Sequence, residues 1–393
     1  MTAAVIVDAV RTASGKGKPG GALSGVHPVD LLAQTLTALL ERNDVSPDEI
    51  DDVIAGCVSQ VGDQALNVAR TAALVAGLPE SVPGTTVDRQ CGSSQQAAHF
   101  AAQGVIAGAY DIVVACGVES MSRIPMGASS QGGDPTVGPL AERYPDGLVG
   151  QGVSAELIAA RWGFDRARLD DYSARSHQLA AAAVAAGVFD RETIPVRLPD
   201  GSTHTVNETL RAGTSAEGLA GLRPSFEHPE FDARFPEIRW SITAGNSSPL
   251  TDAASAVLIM SEEKAQLLGL RPRARFHSFA VTGSDPLLML TGVIPATEKV
   301  LDKAGLSIRD IDTFEVNEAF APVPLAWLAD TGAEEKRLNP SGGAIALGHA
   351  LGASGTRLLT TMLTNLEESG GRYGLQTMCE GGGMANATII ERI

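Results

Sequence analysis

The stretch V-D-R-Q-C-G-S-S, residues 87–94, links a strand-like segment, Thr85–Gln90, to a helix of small residues, Gln95–Ala107. An apolar strand, Asp111–Ala115, follows that helix. Strands that alternate with helices in this way predict an α/β architecture. Cys91 stands at the turn between strand and helix, and the order strand, cysteine, glycine, helix is similar in layout to a nucleophile elbow.

The second half of the chain repeats this plan. A glycine-rich turn leads to His349, a helix follows at Ser354–Leu366, and the strand Tyr373–Met378 runs into Cys379. The interval is 25 residues in the first half (91 to 116) and 30 residues in the second (349 to 379). We interpret the two halves as a duplication, which would place the turns at Cys91 and His349 as neighbours at the centre of the molecule.

The segments before Cys91 continue the alternation of strands and helices, whereas the middle of the chain interrupts it. Ala3–Val10 and Asp52–Cys57 are strand-like, and Asp30–Arg42 has the apolar spacing of a helix. Residues from about 119 to 245 are richer in Gly, Pro and charge. This middle part is predicted to be a large insertion with amphipathic helices, where ligand-binding surface usually lies.

Composition excludes several classes of function. The 393 residues carry a net charge of −16, with 44% hydrophobic and 19% charged residues. Such a surface repels nucleic acid, so an anionic substrate must meet a locally basic patch. Four scattered cysteines favour free thiols in a reducing compartment, and we expect a cytoplasmic protein. No stretch approaches eighteen uncharged apolar residues, so no membrane span and no membrane partner are expected.

Cys91 is the strongest candidate for a nucleophile. A cysteine at the start of a buried helix lies near the positive end of the helix dipole and near unpaired N–H groups, which favour a thiolate and provide an oxyanion site. The alternative is a buried structural cysteine, the common state of a free cysteine. Cys57 and Cys116 lie inside apolar runs and are expected to be structural.

Three further segments could supply proton transfer. His349 is the only histidine set among glycines, in G-G-A-I-A-L-G-H-A-L-G; a phosphate-cradling loop is the alternative, but no Walker lysine follows. Cys379, in C-E-G-G-G, suits a thiol that shuttles a proton at close range. Asn317, in V-N-E-A-F-A, follows a strand and could orient a water or an oxyanion, or it could simply cap a turn.

Taken together, these segments closely resemble the thiolase family (acetyl-CoA C-acyltransferases) over essentially the whole chain. The resemblance rests on D-R-Q-C-G-S-S, N-E-A-F, G-G-A-I-A-L-G-H and C-E-G, and also on V-I-V-D-A-V-R-T, L-R-P-S-F, T-A-G-N-S-S and I-P-A-T. It implies a thiolase-like duplicated α/β/α/β/α layered fold with an inserted loop domain. The implied N-terminal domain covers residues 1–118 plus 246–270, the loop domain 119–245, and the C-terminal domain 271–393.

The resemblance also implies a mechanism. Cys91 would take up the acyl group after His349 removes its proton, and Cys379 would remove or return the α-proton of acetyl-CoA. One oxyanion hole would consist of His349 and a water held by Asn317, and the other of the N–H groups of Cys91 and Gly381. Arg211 and Ser248 would contact coenzyme A, which is a substrate; no cofactor and no metal are implied. The expected activity is cleavage of 3-oxoacyl-CoA, or the reverse Claisen condensation, with ping-pong kinetics.

The chain departs from the usual family pattern at several positions. Ala350 replaces a proline after the histidine, P-L-T-D-A (249–253) replaces G-L-N-D-G, and Gln151 stands where short-chain members tend to carry Met. These departures leave the acyl specificity open. The sequence Q-C-G-S-S-Q-Q, in place of the C-G-S-G-L of typical biosynthetic members, favours degradation of longer or bulkier acyl chains, as in fatty acid β-oxidation. S-S-Q-G-G-D-P (129–135) replaces the basic tetramerisation loop of some relatives, so a homodimer is expected, with a homotetramer as the alternative.

Two other functions fit the same scaffold. A non-catalytic acyl-CoA or lipid-binding protein would tolerate loss of the catalytic groups, whereas Cys91, His349 and Cys379 are all present. A decarboxylating condensing enzyme of the ketoacyl-synthase type pairs one Cys with two His, or with His and Asn. The second cysteine, Cys379, argues against that class.

Overall fold

The computed structural model describes residues 2–393 as one mixed α/β structure. Its strands are β1 Ala4–Thr12, β2 Gly15–Lys16, β3 Asp52–Gly56, β4 Gly84–Val87, β5 Ile112–Ser120, β6 Thr193–Ile194, β7 Val196–Arg197, β8 Thr203–His204, β9 Thr251–Ser261, β10 Ala274–Gly283, β11 Thr313–Val316, β12 Tyr373–Glu380 and β13 Met384–Arg392. Its helices are α1 Pro28–Glu41, α2 Val68–Val75, α3 Ser93–Ile106, α4 Pro139–Arg143, α5 Gln151–Trp162, α6 Arg166–Ala185, α7 Ala216–Ala220, α8 Pro229–Arg234, α9 Glu262–Leu267, α10 Val293–Ala304, α11 Pro322–Thr331, α12 Ala344–Leu347 and α13 Ser354–Ser369.

Two half-sheets join along one narrow seam. Within the described residues the strand order is β11-β12-β13-β10-β1-β9-β5-β3-β4, with β2 and β6 added beside β9 and β1. The first half holds β4, β3 and β5 in parallel, then β9 and β1 antiparallel; the second holds β11 and β12 in parallel, then β13 and β10 antiparallel. The halves meet where β1 pairs with β10, through Val5↔Arg275 and Ile6↔Ala274.

Successive residues of a strand face opposite sides of a sheet, so the strand residues that a helix contacts show which layer it belongs to. Helices α1 and α2 pack on the outer face of the first half-sheet, with Ile112 and Val114 of β5. Helices α10 and α11 pack on the outer face of the second. Helices α3 and α13 lie between the two half-sheets, against Val113 and Ala115 of the same β5 strand. The result is the expected five-layer α/β/α/β/α arrangement, and the prediction of this fold class is confirmed.

The two halves have the same order of elements. In each, two strands and two outer helices alternate, a turn and a central helix follow, and two antiparallel strands complete the half. β1-α1-β3-α2-β4 leads to α3-β5-β9 in the first half, and β10-α10-β11-α11 leads to α13-β12-β13 in the second. A parallel bridge between Phe314 and Leu338 stands where β3 and β4 pair in the first half. Cys91 and His349 therefore occupy corresponding turns that both precede a central helix.

The insertion between β5 and β9 is attached to both halves. Helices α5 and α6 contribute Leu157, Ile158 and Tyr172 to the core of the second half. The short strand β6 instead pairs with β1 of the first half, at Arg11 and Thr12. The insertion therefore shares its core with the domains it joins. The limits 119–245 for a separate loop domain stay a prediction.

Two properties of the helices bear on expectations from sequence. Helix α3 is buried along most of its length, but Phe100, expected inside with its neighbours, is 44% exposed. Its position on the helix faces away from the central layer. Among residues 2–393, no helix is both long and apolar enough to cross a membrane.

Candidate active site

The turn before α3 holds Cys91 in a constrained backbone. Gln90 has a positive φ of 49°, which is uncommon for a residue with a side chain, and Gly92 follows as the residue before the helix. The Ser93 hydroxyl donates to the Gln90 carbonyl at 2.6 Å and accepts from the Arg89 N–H at 2.9 Å. These bonds hold the turn, and they leave the Cys91 thiol buried beside Met121, Leu351 and Met378.

His349 lies in the corresponding turn of the second half. Gly348 has φ 89° and a Cβ there would collide with Thr251, so only glycine fits before the histidine. The His349 N–H donates to Thr251 Oγ1 at 3.0 Å, and Leu250 forms a β-bridge with His349. The segment after T-A-G-N-S-S therefore positions the histidine backbone.

The ring of His349 is oriented by Ser354. The Ser354 hydroxyl donates its hydrogen to the Ala350 carbonyl at 2.8 Å, and its oxygen lies 2.6 Å from His349 Nδ1. Because the hydroxyl hydrogen is already used, the Ser354 oxygen accepts from Nδ1–H, and this assigns the lone pair to Nε2. Nε2 is then the atom that can accept a proton.

Asn317 connects the histidine to the second cysteine. Its backbone N–H donates to the Thr377 carbonyl at 3.1 Å, which fixes the residue beyond the end of β11. Its side-chain Nδ2 lies 3.5 Å from His349 Nε2, and its Oδ1 has no hydrogen-bond partner within residues 2–393. The same amide contacts Cys379, where its hydrogen bond lowers the thiol pKa. An unpaired amide oxygen beside the histidine is suited to hold a water.

Burial controls the protonation states of the site. Burial raises the pKa of the Cys91 thiol well above its usual range, with Cys379 and Glu380 adding to the rise. Burial and then Glu380 raise the pKa of Cys379 to about 12. Burial, followed by the Arg357 guanidinium, lowers the pKa of His349 to about 3. At neutral pH the site therefore holds two thiols and a neutral imidazole, and charge arises only as a proton is transferred.

Gly381 lies between two glutamine side chains. A Cβ at Gly381 would lie 3.0 Å from Gln90 Oε1 and 3.5 Å from Gln151 Nε2. Gln151 is the first residue of α5, so the insertion reaches the site at this point. The N–H of Gly381 and the two amides are thus close to one another beside the cysteines.

A groove with basic side chains lies next to this centre. It has a volume of about 430 Å³ and its lining includes Arg211, Lys16, Lys18 and His177. Leu250, which bridges to His349, also lines it, so the groove and the histidine are adjacent. In a chain with net charge −16, Arg211 and Lys18 provide the local positive charge that an anionic substrate requires, whereas Lys16 is paired at 3.6 Å with Glu208, which also lines the groove.

Ser248 lies beside the groove. Its neighbours Ser247 and Pro249 line the groove, whereas Ser248 donates through its hydroxyl to the Ala319 carbonyl at 3.1 Å. Its backbone N–H bonds to the same carbonyl at 3.0 Å. Ser248 therefore joins the groove segment to N-E-A-F.

Sequence reasoning missed two sets of residues. Lys16 and Lys18 line the groove, and the only signal was K-G-K in a glycine-rich turn. Glu119 is fully buried and accepts hydrogen bonds from the N–H groups of Val58, Ser59 and Gly352 at 2.9, 3.0 and 2.9 Å. Gly352 belongs to the turn after His349, so Glu119 ties that turn to the first half. No local pattern marks this role, because the partners are far apart in sequence.

Among the described residues 2–393, no group of three or more His, Cys, Asp or Glu side chains is arranged to hold a metal ion. All four cysteines, which fall within that range, are free and buried.

Comparison with known proteins gives a consistent result. Residues 4–263 match the family model "Thiolase, N-terminal domain", and residues 270–392 match "Thiolase, C-terminal domain". The chain is 51% identical to the steroid 3-ketoacyl-CoA thiolase FadA6 of Mycobacterium tuberculosis, with all of this chain and 95% of that protein covered. It is 44% identical to the 3-ketoacyl-CoA thiolase of Aliivibrio salmonicida over both full lengths. The crystal structure of the Bacillus anthracis acetyl-CoA acetyltransferase superposes with a TM-score of 0.89 at 36% identity, covering 100% of this chain and 99% of that one.

Proposed function

Because this chain belongs to the thiolase family and is an acyltransferase, we propose that it cleaves 3-oxoacyl-CoA with CoA through an acyl group carried on Cys91. The observation that supports this most strongly is the meeting of groups from both halves at one buried place. Asn317 contacts both His349 and Cys379, and Cys91 packs in one buried cluster with Leu351 and Met378, which are close to His349 and Cys379 in sequence.

In the first step, His349 Nε2 takes the proton of Cys91 as the thiolate attacks the 3-keto carbon. The oxyanion on the 3-carbon, which is bonded to Cys91 Sγ, is stabilised by the N–H groups of Cys91 and Gly381, and the thioester oxygen of the acetyl-CoA enolate by the protonated His349 and a water on Asn317. The bond between the 2- and 3-carbons then breaks, and the enolate of acetyl-CoA takes a proton from Cys379. Acetyl-CoA leaves, and the shortened acyl group remains as a thioester on Cys91.

In the second step, free CoA replaces acetyl-CoA. The Cys379 thiolate accepts the proton of the CoA thiol, and the CoA sulfur attacks the acyl-Cys91 thioester. The oxyanion that forms on the acyl carbon in this step is again held by the N–H groups of Cys91 and Gly381. The Cys91 thiolate that leaves takes back the proton held by His349, so both thiols and the neutral imidazole are regenerated. The two-step transfer requires ping-pong kinetics.

The basic groove is proposed to bind CoA, with Arg211 and Lys18 facing its phosphates and Lys16 beside them in its pair with Glu208. Ser248 holds the groove segment in place. Arginine and lysine are the side chains that best recognise phosphate. This agrees with the role that the family resemblance implies for Arg211, and it adds the two lysines.

We propose a bulky 3-oxoacyl-CoA as the substrate class. The full-length relative at 51% identity is named a steroid 3-ketoacyl-CoA thiolase, whereas relatives at 42–44% carry the general name. Gln90 and Gln151 beside Gly381 make this part of the site polar. By the family resemblance, short-chain members tend to carry Met at the position of Gln151. Two amides could bond to polar atoms of a ring-bearing acyl group, which a straight alkyl chain lacks.

We propose a homodimer in the cytoplasm. Strand β4 lies at the edge of the sheet within the described chain, and helix α3 beside it exposes Phe100. An open strand edge next to an exposed aromatic side chain favours pairing with another copy. The free thiols agree with a reducing compartment.

The proposal is tested by the mass of the intact protein after incubation with 3-oxoacyl-CoA substrates. Acetoacetyl-CoA and a ring-bearing 3-oxoacyl-CoA are each added without free CoA, and the modified residue is mapped. We expect an acyl adduct on Cys91 from both, with the ring-bearing compound acylating at least about tenfold faster.

The Cys91→Ala variant is the control, and it should acquire no adduct. An adduct on another residue, or thiolysis by Cys91→Ala, would contradict the proposed mechanism. Faster acylation by acetoacetyl-CoA would contradict only the proposed substrate class.

A further inference from the structure

The mechanism leaves one buried acidic group beside the cysteines without a role. Glu380 follows Cys379 at the end of β12 and is fully buried. Neither of its carboxylate oxygens has a hydrogen-bond partner within residues 2–393. A buried, unpartnered carboxylate is costly unless the group carries its proton.

Glu380 lies directly under the nucleophile turn. A Cβ on Gly92 would collide with Glu380 Oε1, so the carboxyl fills the space that this glycine leaves. Cys379 and Glu380 are successive residues of β12, so their side chains leave the strand on opposite faces. Glu380 is therefore next to the Cys91 turn, while Cys379 faces Asn317.

The charged and titratable groups around Glu380 come from two elements. On the turn these are Asp88, Arg89 and Cys91, and on β12 the neighbour is Cys379. Arg89 is the nearest cation, but its guanidinium reaches Met384 Sδ at 3.7 Å. Burial raises the pKa of Glu380 to about 8; Arg89 opposes the rise and Asp88 adds to it.

We propose that Glu380 is a positioning residue that acts only in its protonated form: it supports the turn at Gly92 and keeps negative charge away from Cys91 and Cys379. This inference rests on the proposed roles of the two cysteines. Both thiols must become thiolates during the reaction, and a carboxylate beside them makes each thiolate harder to form. Ionisation of Glu380 then switches the enzyme off on the alkaline side.

The first test measures thiolate formation without any substrate. The rate of Cys91 alkylation by iodoacetamide is followed from pH 6 to pH 10 in the wild type and in Glu380→Gln. The glutamine has the same shape and is neutral at every pH. We expect the variant to be alkylated about tenfold faster than the wild type at pH 9, and at a similar rate at pH 6.5.

Glu315→Gln is the matched control. Glu315 is equally buried, and burial likewise raises its pKa to about 8, but its charged neighbours are Arg357, Glu318 and Glu192 rather than the cysteines. This variant should leave the pH dependence of Cys91 alkylation unchanged. An equal shift in both variants would overturn the proposal, because it would show a general effect of buried charge.

The second test is the pH profile of kcat/KM for thiolysis. The wild type should lose activity above about pH 8, and Glu380→Gln should keep at least about fivefold more activity at pH 9 while staying within threefold of the wild type at pH 7. Coincident profiles, or a variant that is folded and slow at every pH, would overturn the proposal.

If Glu380→Gln does not fold, Glu380→Ala is used instead. It also lacks the carboxyl group, so it should shift the pH profiles of Cys91 alkylation and of kcat/KM in the same direction. Since alkylation needs no substrate, an unchanged alkylation profile refutes the role of Glu380. Failure of thiolysis with a shifted alkylation profile refutes the proposed reaction instead.

Discussion

The two halves of the molecule have the same backbone plan and contribute different chemistry. In each half a tight turn with a positive φ precedes the central helix: at Gln90, after strand β4, in the first half, and at Gly348, after the short helix α12, in the second. The first half places Cys91, the proposed nucleophile, at its turn. The second half places at its turn, and on the neighbouring strand ends, the groups that we propose move protons.

The strand registers show where the halves diverge. The parallel ladders end with Gly56 opposite Gly117 in the first half and with Val316 opposite Thr377 in the second. Counting onward from these pairs, Cys57 corresponds to Asn317 and Glu119 corresponds to Cys379. At the position where the second half carries a reactive thiol, the first half carries a carboxylate bonded to four donors.

This correspondence teaches that a duplicated site need not be duplicated in function. In the first half the strand end became a support that holds the turn of the other half through Gly352. In the second half the same strand end carries Cys379, which we propose transfers a proton. The asymmetry can be tested by removing one member of each corresponding pair.

The largest effect is expected from Cys379→Ala. Turnover should fall by about 10⁴-fold, because no group remains to handle the α-proton. The first half and His349 are intact in this variant, so acetyl-CoA should still acetylate Cys91. The measurements are the rate of thiolysis and the mass of the protein after incubation with acetyl-CoA.

Cys116→Ala is the control for that experiment, since Cys116 is an equally buried thiol inside β5. It should retain most of the activity. If Cys379→Ala fails to acetylate although it is folded, the proposed division of roles between the halves is wrong.

Glu119→Ala should produce the next largest effect, on stability. The N–H groups of Val58, Ser59 and Gly352 and the Gln64 amide would lose their acceptor in the protein interior. We expect the free energy of unfolding to fall by about 3 kcal/mol, measured by denaturant titration. Replacing the exposed Glu41 by alanine should change it by less than about 0.5 kcal/mol. An equal loss of unfolding free energy in the two variants would show that the hydrogen bonds to Glu119 do not stabilise the fold.

The smallest effect is expected from Ser354→Ala. The His349 ring would lose the acceptor for Nδ1–H, so the tautomer with a free Nε2 would be less favoured. We expect kcat to fall about tenfold with little change in KM for CoA, in line with the loss of an orienting partner. Ser354→Thr keeps the hydroxyl and should restore most of kcat. A variant with unchanged kcat would show that Asn317 and the backbone orient the ring without Ser354.

Local sequence patterns predicted many of the helices and strands. The helix expected at Asp30–Arg42 is Pro28–Glu41, and the strand expected at Tyr373–Met378 is Tyr373–Glu380. These segments have periodic apolar residues, and burial on one face or both produces that period. The chemistry expected of Cys91 and His349 came from residue type and glycine context, and their assignment as catalytic stays a prediction.

The supporting residues could not be predicted in this way. Glu119 bonds to Gly352, 233 residues away, and Ser354 matters only because the turn brings its hydroxyl to His349 Nδ1. Phe100 has the same apolar character as its buried neighbours, and only the packing of the layers leaves it exposed. Hydrogen bonds between distant segments leave no periodic signal in a single sequence, whereas burial does.

The insertion between β5 and β9 has a consequence for how the chain is made. Strand β1 lies between β9 and β10, which begin at Thr251 and Ala274. During synthesis some 240 further residues must therefore be added after β1 before the first of these two neighbouring strands is made. Strands β10 to β13, by contrast, follow one another within residues 274–392. Long-range pairing of this kind slows folding and prolongs the exposure of unpaired strands. Synthesis of the half that carries Cys91 thus begins first, but its sheet is completed late. Nascent chains shorter than 261 residues, which lack a complete β9, should therefore need chaperone protection.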